Sequence, residues 1–224
     1  MPSGYEEKAW RAGVMIAADH QAVVFIIDDD LSVRTGVGDL LQSVGLSVHS
    51  FGSTQEFLQS KRPDAPGCIV LDVRLPGASG LEFQGVLMGS NIHLPVIFIS
   101  GHGDISMSVR AIKKGAVEFL TKPLHEQELL DAVQAGIERD RTRRQQTKVV
   151  AELQERLNTL TVRERDVLPL VVTGRPSKQI AHELNLTEPT VKVYRSQLMR
   201  KMRARSLVDL VRMADKLGIS AGIL

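Results

Sequence analysis

The sequence predicts two units, an α/β doubly wound five-stranded parallel sheet and, after it, an all-α four-helix unit built around a helix-turn-helix. Three observations carry this. Apolar runs of strand length start near residues 23, 46, 68, 96 and 117 and alternate with stretches of helical spacing, the βα repeat of a parallel sheet. Beyond residue 157 such runs give way to helix-capping signals. Charge divides at the same place: residues 1–137 hold 10 Lys/Arg against 16 Asp/Glu, 138–157 hold 6 against 4, and 158–224 hold 12 against 6. An acidic front half suits metal and phosphate chemistry and a basic tail half suits a polyanion, although the net charge of +2 hides the division.

Residues 1–21 carry no motif and are expected to be a disordered extension, with Met15 as an alternative start. The first strand-like run, Val23 to Ile27, leads into Asp28, Asp29 and Asp30. Val33, Val37, Leu40, Leu41 and Val44 then recur at helical spacing. Ser53 with Glu56 makes a capping box before Phe57 and Leu58. Ile69, Val70 and Leu71 read as a buried strand that ends at Asp72 and breaks into a Pro/Gly turn. A strand ending in Ser100, a helix from Ser106 to Lys114 stopped by Gly115, and a strand from Ala116 to Leu120 before Lys122 follow. From Glu126 a helical stripe runs through Leu129, Leu130, Val133 and Ile137 and fades in ERDRTRRQQTK, so 22–137 is the first domain and 138–157 a solvated helical linker.

In 158–224, Thr161 with Glu164 opens a helix that should kink at Pro169, Ser177 caps a second, Thr187 caps the helix Glu188 to Met202, and Ser206 with Asp209 starts a fourth. The single cysteine, Cys68, cannot form an internal disulfide and reads as a core residue in a reducing compartment, so a cytoplasmic location is expected. No stretch approaches 18 apolar residues, and no membrane partner is expected.

Parallel sheets place their chemistry at the carboxyl ends of the strands. There the chain puts Asp28 and Asp29, Asp72, Ser100 and Lys122. Several carboxylates in one crevice call for a hard cation with oxygen ligands, and Mg2+ is the natural choice, bound by Asp28, Asp29 and Asp72. A carboxylate, a cation, a hydroxyl and an ammonium are what an aspartyl phosphate needs: Asp72 as nucleophile, Ser100 and Lys122 each holding a phosphoryl oxygen. Taken singly each residue is an ordinary turn, cap or core residue. Asp30 reads equally as a further acid of the pocket or as a helix cap.

The ordered strings IIDDD, LDVRLPGASG, FISGHGD and FLTKP resemble the receiver domain of bacterial two-component response regulators over about residues 22–137. That resemblance implies the strand order 2-1-3-4-5, phosphorylation of Asp72 by a sensor histidine kinase, a cis bond from Lys122 to Pro123, and Phe119 as an aromatic switch. It also implies dimerisation on phosphorylation through the helix and strand that carry Arg110, Lys113, Lys114 and Glu118. Arg74 and His102 flank the acceptor where many relatives carry other polar residues. The strings are also similar to those of regulators of aromatic-hydrocarbon breakdown.

The run LTVRERDVLPLVVTGRPSKQIAHELNLTEPTVKVYRSQLMRKM resembles the NarL/FixJ (LuxR-type) effector domain. In a helix-turn-helix the second helix enters the major groove. On Glu188 to Met202, Val191, Leu198 and Met202 share one face, while Lys192, Arg195, Ser196 and Arg200 lie off it. The resemblance sets Lys192, Val193 and Ser196 toward base edges and Arg195 and Arg200 toward phosphates. The expected protein is a phosphorylation-dependent regulator whose partners are a kinase, promoter DNA and RNA polymerase, with self-phosphorylation as its only chemistry. A Mg2+-dependent phosphohydrolase is the rival; Arg74 stands where its general acid would be needed. A receiver acting as a phosphate sink, or one binding DNA regardless of phosphate, are the others.

Overall fold

The computed structural model describes residues 22–76, 78–101 and 105–219, and the chain divides into two compact units, residues 1–144 and 145–224. The expected N-terminal extension and His102 lie outside the described residues.

In the first unit, β1 (Val23–Ile27), β2 (Ser47–Phe51), β3 (Gly67–Asp72), β6 (Val96–Ser100) and β7 (Glu118–Thr121) form one parallel sheet. The two-residue strands β4 (Arg74–Leu75) and β5 (Ala78–Ser79) make a small antiparallel ribbon just after Asp72. The sheet order is β2-β1-β3-β6-β7, which is 2-1-3-4-5 when only the five sheet strands are counted. Every residue of β1, β3 and β6 is buried, because helices cover both faces; that is why these strands are uniformly apolar rather than alternating. The edge strand β2 is mostly polar and exposed.

The helices are α1 (Leu31–Ser43), α2 (Thr54–Gln59), α3 (Gly80–Gly89), α4 (Ile105–Lys113) and α5 (Glu126–Asn158). On one face Val37, Leu41, Leu129, Val133 and Ile137 pack on Val24, Ile26, Val70 and Ile97. On the other, Phe57, Leu81, Leu87 and Ala111 pack on Phe25, Ile27, Leu71 and Phe98. Phe57 meets Phe25, Phe51 and Phe83 edge-on, and burying such a ring contributes about 1.5–3 kcal/mol. Gly136 lets α5 lie close on β3, since a Cβ there would stand 2.9 Å from that of Cys68.

Local chemistry explains most boundaries and moves a few. The Ser53 hydroxyl accepts from Glu56 N–H, but Glu56 returns its bond one residue early, to Gly52 N–H. The strand expected from Ala116 begins at Glu118. The helix expected from Ser106 begins at Ile105, and Gly115 follows its end at φ +90°. The apolar stripe fades after Ile137 as expected, yet the helix continues to Asn158. The expected solvated face is interrupted by Asp140, which is wholly buried because its carboxylate accepts from Gly67 N–H, Arg143 and Arg144.

The second unit holds α6 (Val162–Val172), α7 (Ser177–Glu183), α8 (Glu188–Met202) and α9 (Leu207–Lys216) around Val167, Leu168, Val171, Ile180, Val191, Leu198, Met202 and Leu210. The Thr161/Glu164 box closes fully. Pro169 removes a backbone donor, but α6 runs on through it to Val172, held by buried Leu168 and Val171. Ser177 caps nothing: Pro176 is the N-cap, with Ser177 already the first helical residue. Asn185, at φ +52°, turns the chain between α7 and α8.

Candidate functional site, an acidic pocket and a basic helix

The pocket forms where β1, β3, β6 and β7 end. Asp28 follows β1 and is fully buried; its Oδ1 accepts from Asp30 N–H at 2.9 Å and its Oδ2 from Lys122 Nζ at 2.7 Å. Asp72 ends β3, with Oδ1 3.1 Å from Lys122 Nζ and Oδ2 accepting from Arg74 N–H at 2.9 Å. Ser100 ends β6, buried, and its carbonyl accepts from Lys122 N–H at 2.8 Å, which fixes the lysine's place beside it. The Lys122–Pro123 bond is cis.

Burial pushes the Asp72 carboxyl above the ordinary carboxylate range, and the Lys122 ammonium only partly offsets it. Burial also works against the charge of Lys122, but its bonds to Asp28 and Asp72 outweigh this and raise its pKa. The lysine therefore stays charged. Asp28, Asp29 and Asp72 each offer an oxygen, all within 4.8 Å of one another, with Asp29 exposed at the rim. Such an all-carboxylate set fits a small hard cation rather than a soft one. Asp30 resolves as a helix cap: its side chain accepts from Ser32 N–H, which lowers its pKa.

Phe119 is half-buried on β7, its ring 6.4 Å from that of Phe98. Arg110, Lys113, Lys114 and Glu118 are all exposed, but Lys114 Nζ reaches the Leu81 carbonyl at 3.4 Å and Glu118 accepts from Phe119 N–H. Between the charges α4 exposes Ile105, Val109 and Ile112, at i, i+4 and i+7. The signal of this stripe in the sequence is apolar residues at helical spacing, which the charges around it do not mark. Arg34, outside the expected site residues, donates through its guanidinium to the carbonyls of Asp28 and Asp29. A cation in the first turn of a helix opposes the macrodipole, and that was the available signal.

In the second unit Val191, Leu198 and Met202 are buried, leaving Lys192, Val193, Ser196 and Arg200 exposed on α8. Lys192 pairs with Glu188 at 2.9 Å, and Arg200 donates to Gln197 at 2.5 Å. Arg195 is less free: half-buried, it donates to the Arg175 carbonyl at 3.1 Å and braces the turn before α7. Among the described residues no helix is long and apolar enough to cross a membrane.

Residues 24–134 match the response regulator receiver domain, and residues 158–214 match the bacterial regulatory proteins of the luxR family. "Nodulation protein W" of Bradyrhizobium diazoefficiens is 56% identical over 95% of this chain and 94% of its own length. "Transcriptional regulatory protein FixJ" of Azorhizobium caulinodans is 42% identical over 88% and 93%. The solved structure of response regulator StyR superposes with a TM-score of 0.76 at 46% identity, covering 88% of this chain and 99% of that one.

Proposed function

The chain belongs to the FixJ-type response regulators, phosphorylation-dependent transcriptional regulators of bacterial two-component systems, and we propose that Asp72 is its phosphoacceptor. The observation that carries this is the Lys122 ammonium bridging Asp28 and Asp72 at the strand ends, with buried Ser100 beside it. A carboxylate oxygen of Asp72 attacks the phosphorus of a phosphohistidine on a sensor kinase. The P–N bond breaks as the P–O bond forms, and the electron pair returns to the imidazole. Lys122 releases Asp72 to hold one phosphoryl oxygen, and the Ser100 hydroxyl holds another. Asp28, Asp29 and Asp72 would hold Mg2+, which when bound would supply the charge neutralisation that a phosphoryl group needs in an acidic pocket.

The Ser100 contact draws Phe119 inward and reshapes the α4–β7 face, where Ile105, Val109 and Ile112 give a second copy an apolar seam and Arg110, Lys113 and Glu118 its charged rim. The dimer then sets two copies of α8 in the major groove of promoter DNA, with Lys192, Val193 and Ser196 at base edges and Arg200 on phosphate, and engages RNA polymerase in the cytoplasm.

Intact-mass measurement with acetyl phosphate and Mg2+ tests the acceptor. One phosphate is expected on the wild type and none on Asp72→Asn or in excess chelator; an adduct that persists in Asp72→Asn overturns the assignment. Sedimentation should show a dimer only after phosphorylation, lost in Val109→Asp. A gel shift with and without phosphodonor separates this regulator from one that binds DNA regardless of phosphate.

A further inference from the structure

The acids of the pocket repel one another, and something must keep them assembled before a cation arrives. Oxygens of Asp28, Asp29 and Asp72 lie within 4.8 Å of each other. Lys122 is directed to Asp28 and Asp72 and leaves Asp29, the exposed member, to its backbone. Left alone, the loop after β1 would relieve the repulsion by turning Asp29 outward.

Arg34 opposes that movement from behind. Its Nη1 donates to the Asp28 carbonyl at 2.6 Å and to the Asp29 carbonyl at 3.0 Å, so two successive peptide planes are pinned on one guanidinium. With their carbonyls turned toward Arg34, the two peptide planes on either side of Asp29 are held, and with them the points from which the two carboxylates leave the backbone. The guanidinium is backed in turn by the turn after β2. A Cβ on Gly52 would stand 3.7 Å from Arg34 Nη1 and 3.7 Å from Glu56 Oε2, and that same Glu56 oxygen accepts from Gly52 N–H at 2.8 Å. Two loops therefore meet around Arg34, which sits in the first turn of α1.

We infer that Arg34 is a positioning residue for the reaction, holding the Asp28–Asp29 backbone so that both carboxylates are presented to Mg2+. The inference rests on the reading of this pocket as a Mg2+-dependent phosphoacceptor site. Arg34 is no ligand, since a guanidinium has no lone pair to give a cation. The two roles it could have predict opposite signs. As a mere positive charge near the site it would repel Mg2+, and its removal would tighten binding. As a brace, its removal weakens binding.

The test uses the full chain and Mg2+ itself. Mg2+ is titrated against the amide resonances of Asp28, Asp29 and Asp30 without phosphodonor, and separately against the rate of labelling by acetyl phosphate. Arg34→Met, which loses both hydrogen bonds, is expected to raise the half-saturating Mg2+ about tenfold or more in both, with the rate at saturating Mg2+ within about twofold of wild type. Arg34→Lys, which keeps the charge and reaches one carbonyl, should recover part of the loss and guards against a misfolded methionine variant. Unchanged or tighter Mg2+ binding in Arg34→Met overturns the inference, as does a variant that lowers the saturated rate while leaving half-saturation alone. Failure of the underlying reading looks different: the wild type itself would then be labelled without Mg2+, or not at Asp72.

Discussion

Asp140 and Gly67 join α5 to the start of β3: the buried Asp140 Oδ2 accepts from Gly67 N–H at 3.1 Å, at the opposite end of the strand from Asp72. Arg143 grips Oδ1 through two nitrogens at 3.0 and 2.7 Å, and Arg144 reaches Oδ2 at 2.8 Å while pairing with Asp64. Both guanidiniums keep partial access to water, so the carboxylate is desolvated and its partners are not.

Removing the buried partner should therefore cost more than removing an exposed one. Asp140→Ala is expected to lose about 3 kcal/mol of stability, since it leaves the buried Gly67 amide unsatisfied and removes the acceptor that Arg143 and Arg144 share. Arg143→Ala should lose about 1 kcal/mol or less. Urea unfolding of both variants checks the ordering, and equal losses would mean the buried acid is not the keystone.

Two glycine-to-alanine changes in helices should have opposite signs. At Gly36 in α1 an added Cβ meets nothing within 4 Å, so the helix gains about 1 kcal/mol from propensity alone. At Gly136 in α5 the same atom stands 2.9 Å from Cys68 Cβ, and the overpacking, about 1–3 kcal/mol, exceeds that gain. Thermal melting of the two variants should move in opposite directions.

These contrasts also mark what the sequence could reveal. Asp28, Asp72 and Ser100 are legible because each stands at the end of a buried strand, and Lys122 because it follows the edge strand beside them; a parallel sheet brings strand ends together whatever else the chain does. Asp140 is not: it sits in a run of charges that reads as a wet helix face, and its amide partner is 73 residues away. Arg195 was assigned by its place on α8, whereas its role depends on how closely the turn at Arg175 approaches. The ribbon of β4 and β5 is too short to leave a pattern, although Gly80 betrays it; a Cβ there would lie 2.4 Å from the Asp72 carbonyl oxygen.

Acid should loosen the second unit through Glu164. Burial opposes its charge, but Lys201 Nζ at 2.6 Å and Thr161 N–H at 2.7 Å outweigh this and hold its pKa below the usual 4.5. A depressed carboxylate stabilises the fold above its unfolded pKa, and that stability disappears as pH falls through the lower folded value. Glu164→Gln should lower the melting temperature at pH 7 and narrow its gap to wild type as the pH drops below about 4. A constant gap across that range would exclude Glu164 as the titrating group.

On α8 the ion pair of Lys192 with Glu188 sets up a separable test. Lys192→Ala should weaken cognate DNA by about 1–3 kcal/mol and scrambled DNA much less, if Lys192 reads a base. Arg200→Ala should weaken both alike and reduce the salt slope by about 0.9, one phosphate contact. Glu188→Gln, by removing a negative charge and freeing Lys192, should tighten binding to every sequence. Affinities measured at several salt concentrations decide; a cognate-to-scrambled ratio untouched by Lys192→Ala means that another residue reads the groove.

Cys68, the chain's single cysteine, is sealed between β3 and α5, and burial pushes its thiol well above the usual range. With almost no thiolate at neutral pH, Cys68 in the folded protein should ignore both oxidants and alkylating reagents. The same silence is useful at the bench. A cysteine introduced anywhere on the surface would carry a spectroscopic label alone, and any slow alkylation of Cys68 would time the separation of α5 from the sheet.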